Sequence, residues 1–81
     1  MHLGAIGPEG GWAVKRLAEY GVDTRYIHRG SVPTGHAVIA VDAGGENSII
    51  VFPGANRAIP GGAVTAALTE AGAGDWFLTQ N

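Results

Sequence analysis

At 81 residues the chain has room for one small domain, and a domain of this size buries only ~60% of its unfolded surface, which leaves it marginally stable. It has no cysteine, so neither a disulfide framework nor a thiolate metal site can reinforce a thin core, and a reducing compartment is allowed. Net charge is -2 with five Lys and Arg dispersed along the sequence, which excludes a basic face able to neutralise nucleic-acid phosphates.

Met1-His2-Leu3 carries no basic segment followed by an apolar one, and no apolar run approaches the ~20 residues that span a bilayer. The expectation is an untargeted chain of the cytoplasm with no membrane and no nucleic-acid partner. Abundant Ala, Gly and Val with little charge suits the interior of an α/β protein better than a self-sufficient small domain, which needs a polar shell.

Leu3 to Ile6 is short and apolar and runs into the breakers Gly7-Pro8-Glu9-Gly10-Gly11, so the chain is expected to open at the tail of a strand. From Trp12 to Tyr20, Ala13, Leu17 and Tyr20 recur at helical spacing with Val14 and Ala18 beside them, while Lys15, Arg16 and Glu19 fall elsewhere. This predicts an amphipathic helix, with Gly21 placed for a left-handed C-cap. A short extended stretch follows at Arg25 to His28, then a loop from Arg29 to Pro33.

Two apolar runs, Gly35 to Val41 and Ser48 to Phe52, are joined by Asp42-Ala43-Gly44-Gly45-Glu46-Asn47, whose glycines can supply the positive φ of a tight turn. The prediction is a β-hairpin. One face of a surface hairpin should be polar, yet Val38 and Ala40 alternate with Ala37, Ile39 and Val41, and Ile50 and Phe52 with Ile49 and Val51. A two-stranded ribbon cannot cover two apolar faces by itself, so something outside it is expected on each side. Beyond Pro53-Gly54-Ala55-Asn56, Pro60 suits a first helical turn ahead of Val64, Ala67, Leu68 and Ala71, although no Ser, Thr, Asp or Asn cap stands beside it. Asp75-Trp76-Phe77-Leu78-Thr79 has strand composition. The predicted order is β-α-β, hairpin, α-β, a parallel sheet cut off at both ends.

Local chemistry is sparse. Gly4, Gly7 and Gly10 miss the dinucleotide spacing, and no Gly-Lys-Ser or Gly-Lys-Thr is present for a phosphate loop. Gly72-Ala73-Gly74-Asp75 has the letters of a sugar-kinase anion hole and base, but that device needs a helix directly after the aspartate, where a strand is predicted. The histidines His2, His28 and His36 lack metal-ligand spacing, and His36 reads as a partnered structural histidine in a strand. Glu46-Asn47 reads as solvated turn polarity, and Glu9, Asp23 and Asp42 as solvated carboxylates without partners legible in the sequence.

Ile6-Gly7, Leu17 with Gly21-Val22-Asp23-Thr24, Pro33-Thr34-Gly35 with Ala37, Gly45-Glu46-Asn47-Ser48-Ile49, Pro53-Gly54-Ala55-Asn56 and Asp75-Trp76-Phe77-Leu78-Thr79-Gln80 occur in an order and spacing that resemble ribokinase, of the PfkB-type carbohydrate kinase superfamily. The resemblance runs along almost the whole chain. Its most specific parts are Pro33-Thr34-Gly35 and the stretch from Gly45 to Asn56. Pro8-Glu9 departs from the family, which has an Asp-bearing turn there.

The resemblance implies an α/β fold: a fragment of the ribokinase-like three-layer sandwich with a projecting β-hairpin lid at about residues 34–53, the whole of residues 1–81 being a partial carbohydrate kinase domain. It implies that Ala37, Ile39 and Val51 wall the pocket of a ribose-like sugar substrate while the opposite face packs on the lid of a second subunit in a homodimer. Strand packing alone is the competing reading of those three residues. In the complete family protein, ATP and Mg2+ serve transfer of the γ-phosphoryl group to the sugar. The family's sugar-binding Gly-Gly-Lys segment would precede Met1, the glutamate after the final strand would fall one position beyond Asn81, and the catalytic aspartate would lie further on. The fragment is therefore expected to bind neither cofactor and to be inactive alone. The rival reading is a non-catalytic dimerisation or interaction module built on the hairpin.

Overall fold

The computed structural model describes residues 1–79. The elements are β1 (Leu3–Ile6), α1 (Gly11–Glu19), β2 (Tyr26–Arg29), β3 (His36–Val41), β4 (Asn47–Phe52), a 3-10 turn (Gly54–Arg57) and α2 (Gly61–Thr69). β1 and β2 pair in parallel with Leu3 opposite Tyr26 and Ile6 opposite Arg29, so α1 is the crossover of a β-α-β unit. Backbone bonds from His2 N to Asp23 O and from Gly30 N to Ile6 O, both 2.9 Å, extend this ladder at its two ends.

α1 forms where the periodicity places it and turns Val14 inward, with Leu17 and Ala13 half-buried. Tyr20, predicted on the same apolar face, is instead 73% exposed, because the helix has already ended at Glu19. Its C-terminus closes as a Schellman motif: Gly21 N donates to Ala18 O and Val22 N to Leu17 O, with Gly21 at φ +78°.

β3 and β4 make a separate antiparallel hairpin, with His36 opposite Phe52 and Val41 opposite Asn47. At its tip Asp42 is not a free carboxylate: Oδ1 accepts N–H bonds from Gly44 (2.8 Å) and Glu46 (3.0 Å), and Gly45 takes φ +85°. Every residue of both strands is exposed. The radius of gyration, 15.3 Å, exceeds the about 12 Å of a compact chain of this length, as a ribbon standing off a small body requires.

That body is thin. Among the described residues the buried apolar side chains are Ala5, Ile6, Val14, Ala55 and Ala67. α2 starts after Pro60, in extended conformation at the N-cap with no side-chain cap, as its sequence predicts, and ends at Thr69, leaving Ala71 outside the helix. It is fastened to β2 by charge. Arg25 reaches Asp23 through Nε and Nη2 (2.9 and 2.7 Å to Oδ2) and Glu70 through Nη2 (3.0 Å), and the Tyr26 hydroxyl donates to Glu70. Asp23 and Glu70 are thus partnered.

The Arg25 side chain and backbone N–H hold Asp23 down from 3.8 to about 2, and the Tyr26 hydroxyl followed by Arg25 holds Glu70 below its ordinary value. Each folded-state pKa is depressed, so the stabilisation is complete above the unfolded value and disappears as pH falls through the folded one. The urea midpoint should therefore drop as pH falls from about 4 to about 2, and Asp23→Asn should flatten that part of the profile. An unchanged profile in the variant would show that the pair contributes nothing measurable, as many exposed pairs do.

The predicted last strand does not form. Residues 75–79 are irregular, with Trp76 99%, Phe77 71% and Leu78 97% exposed. A strand exists only where a neighbour's N–H and C=O groups complete its ladder, and β-forming composition cannot supply that neighbour. Among the described residues the parallel sheet is accordingly two strands, β1 and β2.

Candidate functional site

Directly opposed residues of an antiparallel pair point to the same side, so the hairpin register sorts its side chains unambiguously. Ala37 faces Val51 and Ile39 faces Ile49, which brings the three predicted sugar-wall residues Ala37, Ile39 and Val51 onto one face with Ile49. The other face carries Val38 opposite Ile50 and His36 opposite Phe52. Ile39 is 59%, Val51 68% and Ile50 72% exposed, so each face is an open apolar surface. His36 behaves as the sequence predicts: Nδ1 lies 2.9 Å from Thr34 O, and the ring packs at 5.2 Å between centroids against Phe52.

Where the hairpin meets the body, three segments distant in sequence are cross-braced. Pro33 O accepts from Ala55 N (2.8 Å), joining the strand leading in to the strand leading out, and Ala55 is 1% exposed. Thr34 Oγ1 accepts from Gly7 N (2.9 Å), and Glu9 Oε1 accepts from Thr34 N (2.6 Å), which ties the hairpin to the turn after β1. Glu9, read from sequence as an isolated carboxylate, is held below its ordinary value by backbone N–H donors, its own and that of Thr34, with Thr34 Oγ1 and His36 adding smaller effects. Close approach requires glycine on both sides. A Cβ on Gly7 would stand 2.5 Å from Val32 O, and Gly54, at φ +48°, would bring one inside contact distance of Pro33 O.

No catalytic group was predicted in these residues, and the chemistry elsewhere is local. The Gly72-Ala73-Gly74-Asp75 segment is a turn in which Gly72 N donates to Asp75 Oδ2 (2.7 Å), so the carboxylate is occupied by its own loop. The residues after it form neither the helix an anion hole needs nor the strand anticipated. Among the described residues no three of His, Cys, Asp and Glu converge on a metal-sized space, and no helix is long and apolar enough to cross a membrane. A shallow groove beside β2 and the start of α2, lined by Arg25, Tyr26, His28, Arg29 and Ala63, opens to solvent, with Arg25 already committed to Asp23 and Glu70.

The sequence matches no family model and no curated protein. Solved structures do match. The ribokinase of Giardia lamblia superimposes with a TM-score of 0.72 at 31% identity over 84% of this chain and 21% of its own. The ribokinase of Thermotoga maritima gives 0.58 at 36% over 65% of this chain and 18% of its own. A protein described as Sa239 gives 0.70 at 32% over 80% and 22%. This mixed α/β chain thus has ribokinases among its structural neighbours. The chain is a ribokinase-like segment, and it spans about a fifth of the length of the structures it matches.

Proposed function

We propose that these residues form the substrate-lid part of a sugar kinase whose complete form transfers the γ-phosphoryl group of ATP to ribose or a related sugar. The observation that carries this reading is the hairpin: Ala37, Ile39 and Val51 lie on one exposed apolar face of a ribbon rooted in a β-α-β unit that superimposes on two ribokinases. An apolar wall suits the carbon face of a sugar, whose hydroxyls are then held by groups outside these residues. The three-layer arrangement of the whole domain and the hairpin's role as a lid, at about residues 34–53, are part of the same proposal. So is pairing of the second hairpin face with the lid of another copy.

The described residues do not fit ATP and magnesium. Asp75 is turned into its own loop, and no cluster of carboxylates is present among them, so no step of phosphoryl transfer is assigned to this segment. With ATP, magnesium and ribose the chain should release no ADP above background; turnover would mean that a catalytic group lies within it.

The positive test is a transplant. The part of this chain that aligns with the Thermotoga maritima ribokinase, put in place of the matching stretch of that enzyme, should give a hybrid that phosphorylates ribose. Within it, Val51→Asp should raise KM at least about tenfold by setting an unpaired charge against the sugar's apolar face. A folded hybrid with no activity, or a KM indifferent to Val51→Asp, would remove the lid reading. The alternative, a non-catalytic module that pairs through its hairpin, is favoured by the exposure of both faces and predicts a hybrid that associates yet ignores the sugar.

A further inference from the structure

We propose that Glu9 is a positioning residue that fixes the angle at which the β3–β4 hairpin leaves the body, acting through Thr34 as a hub. All three polar groups of Thr34 are engaged: its N–H donates to Glu9 and its Oγ1 accepts from Gly7 N, both in the turn after β1, and its carbonyl lies 2.9 Å from His36 Nδ1 in β3. A residue whose N–H, C=O and side chain are pinned from three directions cannot change φ or ψ without breaking a bond. Thr34 is also the last residue but one before β3 begins, so its two torsions, together with those of Gly35, set the ribbon's direction.

The remaining connections at this root are neutral. Ala55 N to Pro33 O is a backbone bond between the two feet of the hairpin; it holds them together without fixing their direction relative to β1. Glu9 supplies the one ionised bond between hairpin and body among the described residues, 25 positions away in sequence, and charge-assisted bonds are roughly twice as strong as neutral ones. The ionisable group facing it is His36, across the turn on β3; its Nδ1 contact with the Thr34 carbonyl persists when the ring is charged, because Nδ1 is then a donor. Loss of the Glu9 charge in acid therefore releases the angle while leaving the His36 bond in place.

The inference is independent of any sugar or nucleotide, and its test uses the chain itself. The chain has no native cysteine, so Lys15→Cys on α1 and Glu46→Cys at the hairpin tip accept one pair of spin labels without competition. Pulsed dipolar spectroscopy should give a single narrow distance distribution at pH 7. Glu9→Gln should broaden it, and exchange of the Thr34 amide should quicken about tenfold, while the Gly30 amide in the β1–β2 ladder keeps its protection. Titrating the parent into acid should broaden its distribution in the same way, but only below the ordinary glutamate range, because the depressed Glu9 pKa keeps the bond intact until then. The Glu9→Gln distribution should not respond to that change, and His36→Gln should leave the acid response of the parent in place.

Thr34→Ser keeps every bond and should leave the distance narrow, whereas Thr34→Val removes the hydroxyl that accepts from Gly7 and also supports Glu9, and should broaden it. A Glu9→Gln chain with unchanged width and unchanged Thr34 exchange would overturn the proposal. Loss of Gly30 protection in that variant would overturn it equally, by making Glu9 a support of the whole body.

Discussion

Gly54→Ala is expected to lower the stability of the chain by about 2–5 kcal/mol, whereas Gly45→Ala, also at a residue with positive φ, should cost only about 1 kcal/mol. The two positions separate two effects. At Gly45, φ +85° in the hairpin tip, a Cβ meets nothing within 4 Å, so the substitution carries only the left-handed backbone penalty. At Gly54, φ +48°, the same penalty is joined by overlap with the Pro33 carbonyl, a backbone atom that cannot swing aside. That carbonyl also accepts the bond from Ala55, so relief of the overlap breaks the joint between the hairpin's two feet. Against the few kcal/mol available to a domain with so small a core, Gly54→Ala should leave the hairpin detached or the chain unfolded. Urea titration of the three proteins gives the comparison, and equal midpoints for the two variants would show that the close approach at Pro33 contributes nothing.

The second large effect concerns self-association. Two apolar faces on a projecting ribbon leave one face available after any ligand has taken the other. If Ala37, Ile39 and Val51 serve the sugar, then Val38, Ile50 and Phe52 remain for a second copy. The chain should therefore sediment as a concentration-dependent dimer. Ile50→Lys should weaken that dimer at least about 100-fold, by burying an unpaired ammonium at its centre, and Ile39→Lys on the opposite face should leave it intact. Equal sensitivity at both positions would mean unspecific stickiness of the ribbon, and a monomer at all concentrations would dismiss pairing altogether.

What the residues disclosed follows from the range of the interactions concerned. α1, its Gly21 stop and the hairpin depend on periodicity and turn chemistry within a dozen positions, and they form within a residue or two of their expected limits. The alternation of Ala37, Ile39 and Val41 also fixed which side chains share a face once the register was known. The root of the hairpin carries no local signal. Glu9 and Thr34 are 25 residues apart, Gly7 and Thr34 27, and nothing in the composition of the turn after β1 announces that its carboxylate will find that particular N–H. Pro33-Thr34-Gly35 and Pro53-Gly54-Ala55-Asn56 drew notice through likeness to a family; the reason for their glycine at position 54 is a contact between the two segments. Asp23 and Asp42 were solvated charges in sequence and are anchors in space, one for Arg25 and one for the tip of the turn. The expected strand at residues 75–79 failed for the converse reason, since its composition is right and its neighbour is missing from the ladder.

Six residues per strand give the hairpin an arm of about 20 Å at ~3.4 Å per residue. Swung about Thr34, such an arm converts a 10° twist at its base into about 3.5 Å of travel at Asp42, nearly the separation of consecutive Cα atoms. A ladder that keeps its register turns as a unit, so the amplification needs no bending along the length of β3 and β4. Sub-ångström adjustments among Gly7, Glu9 and Thr34 are therefore sufficient to sweep Ile39 and Val51 toward or away from whatever lies beneath them.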